Sequence, residues 1–279
     1  MSKIEKALSR AQEGRGSLQV VPIAGASPGI ARGTSPMVVD SVAHPETISR
    51  MAKNEVRLLS AGDLAQRGII QRQQDEDPAV QVFRDLRTKI IQQSQGQNAV
   101  VLVASVSKGC GSSFISQNLA AAFAFDMGKT ALLIDCNLKD PSVHKLLTDA
   151  SAPGLTDYFE NPDLDIKEII HPVGIARYRV ISAGKRREIL EEHFTSVKMR
   201  RLMESVRRRY LERFIIMDGP PMSKIADIRI LSELADYVLV VARYGRSTGT
   251  QIASCLDVIS EKKQLGIIFN DVPRFPWIR

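Results

Sequence analysis

The sequence predicts an α/β fold with a mostly parallel sheet covered by helices on both faces, and three observations predict it. From Pro78 onward, short continuous apolar runs alternate with helical stretches. Runs that are apolar on both sides mark strands buried from both faces, as in parallel sheets. The strand-like Ala99-Val-Val-Leu-Val-Ala-Ser105 passes through Val106-Ser-Lys-Gly-Cys-Gly111 into a helix-like stretch from Ser112, which is the layout of a phosphate-binding loop. Two further runs end on aspartate, Thr130-Ala-Leu-Leu-Ile-Asp135 and Phe214-Ile-Ile-Met-Asp218. In open sheets the ligand sits beyond the carboxyl ends of the strands. Two acidic strand ends beside a Gly-x-Gly-Ser-Ser loop specify a doubly wound sheet of the P-loop NTPase type, a phosphate-and-magnesium fold.

Taken in order, residues 1–14 place Ile4, Ala7, Leu8 and Ala11 at three- and four-residue spacing and predict a short amphipathic helix. Residues 15 to about 50 are rich in Gly, Ser, Pro and Ala, and a weak helical stretch near 47–68 leads into polar Gln71 to Asp77. The span 15–77 therefore reads as a flexible linker with a weak helix. The P-loop domain is expected over 78–279. There, helix 79–94 precedes strand 99–105, and helix 113–127 precedes strand 130–135. Further strands are expected at Tyr178–Ser182, Phe214–Met217, Tyr237–Ala242 and Gly266–Phe269, with helices at 196–211, 226–235 and 248–263. No internal repeat is present.

Bulk properties narrow the setting. The 279 residues carry a net charge of +7 and are 44% hydrophobic, ordinary for one α/β domain plus an extension. No run of about 18 apolar residues exists, so no membrane-spanning helix is expected. The opening Met-Ser-Lys-Ile-Glu-Lys-Ala-Leu lacks the apolar core of a secretory signal. Cys110, Cys136 and Cys255 show no metal-ligand spacing. These features point to the cytoplasm. Basic residues concentrate between Lys185 and Arg213, where ten lysines and arginines face five glutamates. A solvated helix face accounts for them, and a docking face for anionic phospholipid or an acidic partner is the functional alternative. Nucleic acid is disfavoured, because only Phe194 and Tyr210 interleave these charges as stacking partners.

The motifs resemble the bacterial tyrosine kinases of polysaccharide export, the BY-kinase or CpsD/CapB group, which are related to the MinD and ParA deviant P-loop ATPases. The resemblance covers residues 78 to about 273. Pro78-Ala-Val-Gln-Val-Phe-Arg-Asp-Leu-Arg-Thr88 is similar to the family's Glu-Ala-Phe-Arg-x-Leu-Arg-Thr helix, and Thr130 to His144 resembles its acidic second Walker motif. Gly154-Leu-Thr-Asp-Tyr158, Asp218-Gly-Pro-Pro221, Ala226-Asp-Ile-Arg-Ile-Leu and Ala235-Asp-Tyr-Val-Leu-Val-Val follow in the family's order. The resemblance implies ATP or ADP with Mg2+ as ligands. It places the phosphates on Lys108, Gly109, Cys110, Gly111, Ser112 and Ser113, the metal on Ser113, Asp135 and Asp218, catalysis on Asp135 and Asp218, and an adenine-reading amide at Asn270. It also implies a transmembrane copolymerase, the chain-length determinant, as partner on its cytoplasmic face. Self-association would run through the helix bearing Gln81, Arg84 and Arg87, and the location would be peripheral to the inner membrane.

Four features depart from the family pattern. The loop ends Gly111-Ser112-Ser113 where active members have Gly-Lys-Ser/Thr, and the acidic motif reads Asp135-Cys136-Asn137 in place of Asp-x-Asp. Gln81 replaces the glutamate of the oligomerisation motif, and no tyrosine follows Tyr244 where active members carry an autophosphorylated cluster. Losing a charge-assisted lysine contact costs about 1.5–3 kcal/mol, roughly 10- to 150-fold in affinity. Losing one charge donor from phosphoryl transfer costs about 10²–10³ in rate. The expectation is a pseudokinase with weak or lost nucleotide chemistry. The alternatives are an active autokinase or ATPase using Lys108, and a ParA/MinD-like positioning ATPase. Smaller readings concern Cys110 and Cys136 as a redox pair or as buried filler, His144 and His171 as surface or capping residues, and Tyr158 and Tyr178 as phosphate acceptors.

Overall fold

The computed structural model describes residues 18–21, 58–72, 77–185 and 191–273. The helix expected over 1–14 and the residues 274–279 lie outside them. Among the described residues the strands are β1 (Leu18–Val21), β2 (Val100–Ser105), β3 (Thr130–Asp135), β4 (His171–Pro172), β5 (Tyr178–Ile181), β6 (Arg213–Asp218), β7 (Tyr237–Arg243) and β8 (Gln264–Asn270). They form one sheet in the order β1-β8-β7-β2-β6-β3-β5-β4. The run from β8 to β5 is parallel, and β1 and β4 pair antiparallel at the two edges. The predicted fold class is therefore the observed one.

The helices are α1 (Ala61–Gln66), α2 (Pro78–Gln93), α3 (Ser112–Ala124), α4 (Leu155–Glu160), α5 (Val197–Arg208), α6 (Ile225–Leu234) and α7 (Gly249–Asp257). The chain steps outward from β2 through β3 to β5, then reverses through β6, β7 and β8. Right-handed crossovers put α3 on one face and α5 to α7 on the other. Every residue of β2, β3 and β6 is buried, which is why these strands read as unbroken apolar runs. Helix α3 is the central helix, with Ile115, Leu119 and Ala120 to Ala124 all buried between the sheet and α2. Helix α2 starts on Asp77, whose Oδ1 accepts from the Ala79 amide at 2.8 Å, with Pro78 at the first helical position. It turns Val80, Phe83, Leu86 and Ile90 inward, a three- and four-residue spacing.

Packing begins earlier than the linker reading of 15–77 anticipates. Residues 18–21 form β1, and 61–66 form α1 with a reciprocal cap between Ser60 and Asp63. Leu64, Ile69 and Ile70 enter the core, and the buried Asn118 of α3 accepts from the Ile70 amide at 2.8 Å. The expected helix over 248–263 ends at Asp257, and a short 3-10 turn at Glu261–Lys263 follows.

Candidate nucleotide site

The register of the central strands assembles the site. β6 lies between β2 and β3, and Asp135 and Asp218 are direct register partners at the carboxyl ends of β3 and β6. The phosphate loop leaves β2 on the other side of β6 and enters α3 at Ser112. The start of α3, through the Ser113 hydroxyl beside Asp218, is thus brought next to the two acidic strand ends that the sequence singled out.

Gly109 and Gly111 hold φ of 83° and 91°, the left-handed region that turns successive backbone amides toward one side. A Cβ on Gly111 would also collide with the Asn270 side-chain amide. That amide sits at the end of β8 and donates to the Cys110 carbonyl at 3.0 Å, so Asn270 braces the loop. Arg243, at the end of β7, reinforces it by donating to the Gly109 carbonyl at 3.3 Å while pairing with Asp271 at 2.6 Å. Sequence reasoning missed Arg243 and Asp271, whose partners are far away along the chain. Ser112 is 8% exposed and its hydroxyl carries no charge into the loop. Lys108 points outward and pairs with Asp140 at 2.9 Å, both side chains more than half exposed.

The acidic pair is electrostatically costly. Asp135 is fully buried, yet its Oδ2 accepts from the Ser142 and Val143 amides at 2.9 Å each and its Oδ1 from the Asn137 amide at 3.2 Å. Burial pushes its carboxyl up to about 6 against those three bonds. Asp218 is buried equally and less well served. Burial and the neighbouring Asp135 push it up to about 8, opposed by the hydroxyls of Ser113, Ser116 and Ser142. Its Oδ1 has no hydrogen-bond partner, and the Ser142 hydroxyl lies 3.5 Å from Oδ2. Ser142 thus serves both carboxylates, a role that sequence reasoning missed.

A divalent cation fits this donor set. The orphaned Asp218 oxygen, the second carboxylate beside it and the Ser113 hydroxyl are hard oxygen donors of the kind Mg2+ prefers. The backbone turn around Gly109 and Gly111 fits a phosphate, and the helix that starts at Ser112 adds its dipole. Asn137 contributes a neutral side chain to a cavity of about 40 Å³ beside the pair, which also involves Cys136 and Lys224 and is the size for water.

The smaller readings divide. Cys110 is buried with Ser107 Oγ at 3.3 Å and Ser247 Oγ at 3.8 Å, and no bond joins it to Cys136. Burial and the two aspartates push the Cys136 thiol well above its usual range, so it stays protonated. That corrects the redox pair in favour of buried filler. Tyr178 is buried and donates to the Gln117 carbonyl at 3.0 Å, which removes it as a phosphate acceptor, and Tyr158 is only 8% exposed. His171 meets the Pro153 carbonyl at 2.7 Å, a structural role. Among the described residues no helix is long and apolar enough to cross a membrane.

Comparison with known proteins gives a consistent family of likenesses. No family model matches the chain. A protein of Ralstonia solanacearum named as a tyrosine-protein kinase, EpsB, is 31% identical over 206 residues, covering 72% of this chain and 27% of the relative. The tyrosine-protein kinase Wzc of Salmonella typhimurium is 29% identical over 201 residues, covering 71% and 27%. The chain thus spans about a quarter of the length of the curated relatives it matches. Among solved structures, the kinase domain of Escherichia coli tyrosine kinase ETK superposes with a TM-score of 0.67 at 24% identity, over 80% of this chain and 85% of that one.

Proposed function

This chain is a homologue of the bacterial tyrosine kinases, and from that premise we propose that it is a pseudokinase of exopolysaccharide biosynthesis and export. In this reading it regulates a transmembrane chain-length copolymerase from the cytoplasmic side, peripheral to the inner membrane. The α/β domain serves as an interaction module, residues 1–14 as a docking helix, and the span before Pro78 joins the two. The helix face bearing Gln81, Arg84 and Arg87 provides self-association, weakened because a neutral Gln81 cannot form an ion pair. The basic helix α5 faces the anionic leaflet.

One observation carries the loss of chemistry. The loop that should meet the β- and γ-phosphates with a lysine offers the Ser112 hydroxyl, and the nearest loop cation, Lys108, is engaged with Asp140. The backbone cradle and the Ser113, Asp135 and Asp218 oxygens would still hold a nucleotide and Mg2+ loosely. When bound, the metal would neutralise phosphate charge. The side chains of this chain keep the cradle open through Asn270 and Arg243 and hold the carboxylates in place through Ser142.

The rival is an active autokinase or ATPase using Lys108, favoured by the weakness of its ion pair. Exposed pairs are worth about 0–1 kcal/mol, so Lys108 is easily released. Nucleotide titration with Mg2+, γ-phosphate turnover and phosphotyrosine detection separate the two. Turnover abolished by Lys108→Ala would overturn the pseudokinase reading. Ser112→Lys should raise nucleotide affinity roughly 10- to 150-fold, and unchanged affinity would mean that the cradle is lost as well. Deleting residues 1–14 should abolish co-sedimentation with copolymerase-bearing membranes; full recovery would argue against helix docking.

A further inference from the structure

The strand order sets which way a bound nucleotide would run. The phosphate loop leaves β2, and the acidic pair lies to one side of it, on β6 and β3. The terminal phosphates belong beside those two carboxylates and the cation they fit. The nucleoside end therefore belongs on the other side, over the carboxyl ends of β7 and β8. β7 ends on Arg243, the register partner of Asn270, and Asp271 follows the last residue of β8. Arg243 Nε and Asp271 Oδ2 form an ion pair of 2.6 Å at that place.

Backbone bonds hold both partners there. The Tyr244 amide donates to the Asn270 carbonyl at 2.9 Å and ties the two strand ends together. Asp271 turns the chain at a φ of 58°, a conformation that aspartate tolerates better than most residues. Arg243 Nη1 also reaches the Gly109 carbonyl at 3.3 Å, so the pair borders the phosphate loop. Folding stability gives little reason for the carboxylate. The Arg243 side chain is 31% exposed and that of Asp271 50%, and ion pairs so open to water contribute little.

The pair uses one oxygen of the carboxylate and one edge of the guanidinium. Side by side, the two groups offer N–H donors next to carboxylate acceptors. The Watson–Crick edge of guanine is the complement, with its O6 acceptor followed by the N1–H and N2–H donors. Arginine is the common partner of guanine acceptors. Adenine instead presents its N6 donor and its N1 acceptor, so the same carboxylate would face a lone pair. An amide suits adenine better, and the amide at this place, Asn270, spends its nitrogen on the Cys110 carbonyl.

We propose that the Arg243–Asp271 pair selects a guanine base, so that the cradle takes a guanosine phosphate in preference to an adenosine phosphate. This selection rests on the reading that the loop and the acidic pair still hold a nucleotide, and it names the base and the residues that choose it.

Ribose-labelled fluorescent GDP and ADP, titrated against the full chain with Mg2+, provide the test, because the label leaves both bases free. GDP should bind about tenfold tighter or more, the worth of one charge-assisted hydrogen bond. Asp271→Asn should weaken GDP by a similar factor and leave ADP nearly unchanged. The same variant should gain affinity for xanthosine diphosphate, whose O2 carbonyl accepts from the new amide. If the pair only braces the loop, Asp271→Asn will weaken GDP and ADP alike, and that result overturns the proposal. Ser112→Lys touches the phosphates alone and should strengthen both nucleotides equally; a gain confined to one would place the discrimination at the loop and overturn it too. ADP binding as tightly as GDP leaves the cradle standing and removes the guanine assignment. Binding of neither nucleotide, in the parent and in Ser112→Lys, overturns both, while γ-phosphate turnover bears on the pseudokinase reading alone.

Discussion

Asp218→Asn isolates the electrostatic cost of the site. In an unfolded chain this carboxyl ionises near its ordinary value of 3.8, whereas in the folded domain burial and Asp135 raise it to about 8. Between those values the folded state binds the extra proton, so stability is full below about pH 4 and falls as pH rises toward 8. One retained proton costs about 1.4 kcal/mol per pH unit, so roughly 3 kcal/mol accumulates between pH 5 and pH 7. Asp135, raised to about 6, adds to the slope in the same direction at the acidic end. Asparagine keeps the shape and has no charge to bury, so the variant loses the Asp218 share of the slope. Its advantage over the parent should be small near pH 4.5 and grow to about 3 kcal/mol at pH 7. The change in hydrogen bonding to the facing serines is independent of pH, so the pH dependence of the difference is the diagnostic quantity. Urea unfolding in divalent-free buffer measures it. A difference that stays constant from pH 4.5 to 7.5 would refute the reasoning. Millimolar Mg2+ should recover stability in the parent at pH 8 and do little for the variant, because the cation replaces the proton at that oxygen.

Three further outcomes follow from the same geometry. Gly111→Ala must adopt a φ of 91° and displace the Asn270 amide, for a loss of about 1–3 kcal/mol. Adding Asn270→Ala should return part of that loss, and strict additivity in the double-mutant cycle would exclude the clash. Tyr178→Phe leaves the Gln117 carbonyl unpaired and should lower stability by about 1 kcal/mol in chemical denaturation, whereas an unchanged midpoint would mean water replaces the hydroxyl. Lys108→Ala breaks an exposed ion pair and should shift stability by less than about 0.5 kcal/mol, so any larger change in nucleotide binding by this variant reports on the site itself.

The parallel sheet was legible because burial on both faces leaves an unbroken apolar run, and β2, β3 and β6 are such runs. The acidic pair was legible because a polar residue ending such a run has to face the cleft. Other parts left weaker traces. β1 is four residues long in a span rich in Gly, Ser and Pro, and its pairing with β8 rests on backbone bonds that side-chain patterns do not encode. Helix α1 is too short to show a period, although Leu64, Ile69 and Ile70 are deeply buried. The bracing of the loop by Asn270 and Arg243 joins residues more than a hundred positions apart. Reading Asn270 from the family pattern placed it at the cleft, but its amide nitrogen reaches the loop carbonyl, which no spacing rule foretells.

The two halves of the site answer to different forces. Asp135 is bound by three backbone amides from its own connection, so a purely structural account of it is complete. Asp218 has no such account: one oxygen is buried without a partner, and its charge lies beside another carboxylate. A domain needing only a scaffold gains nothing from that arrangement, since an apolar side chain of similar size would be neutral or stabilising there. The loop side of the site carries the neutral Ser112, while the acidic side keeps a group whose cost only a proton or a cation offsets. The proposed pseudokinase is therefore expected to respond to Mg2+ alone, before any nucleotide is added. A Mg2+-dependent rise in stability that vanishes in Asp218→Asn and survives in Ser112→Lys would assign the retained function to the acidic pair. The same rise in both variants would place the bound cation elsewhere on the molecule.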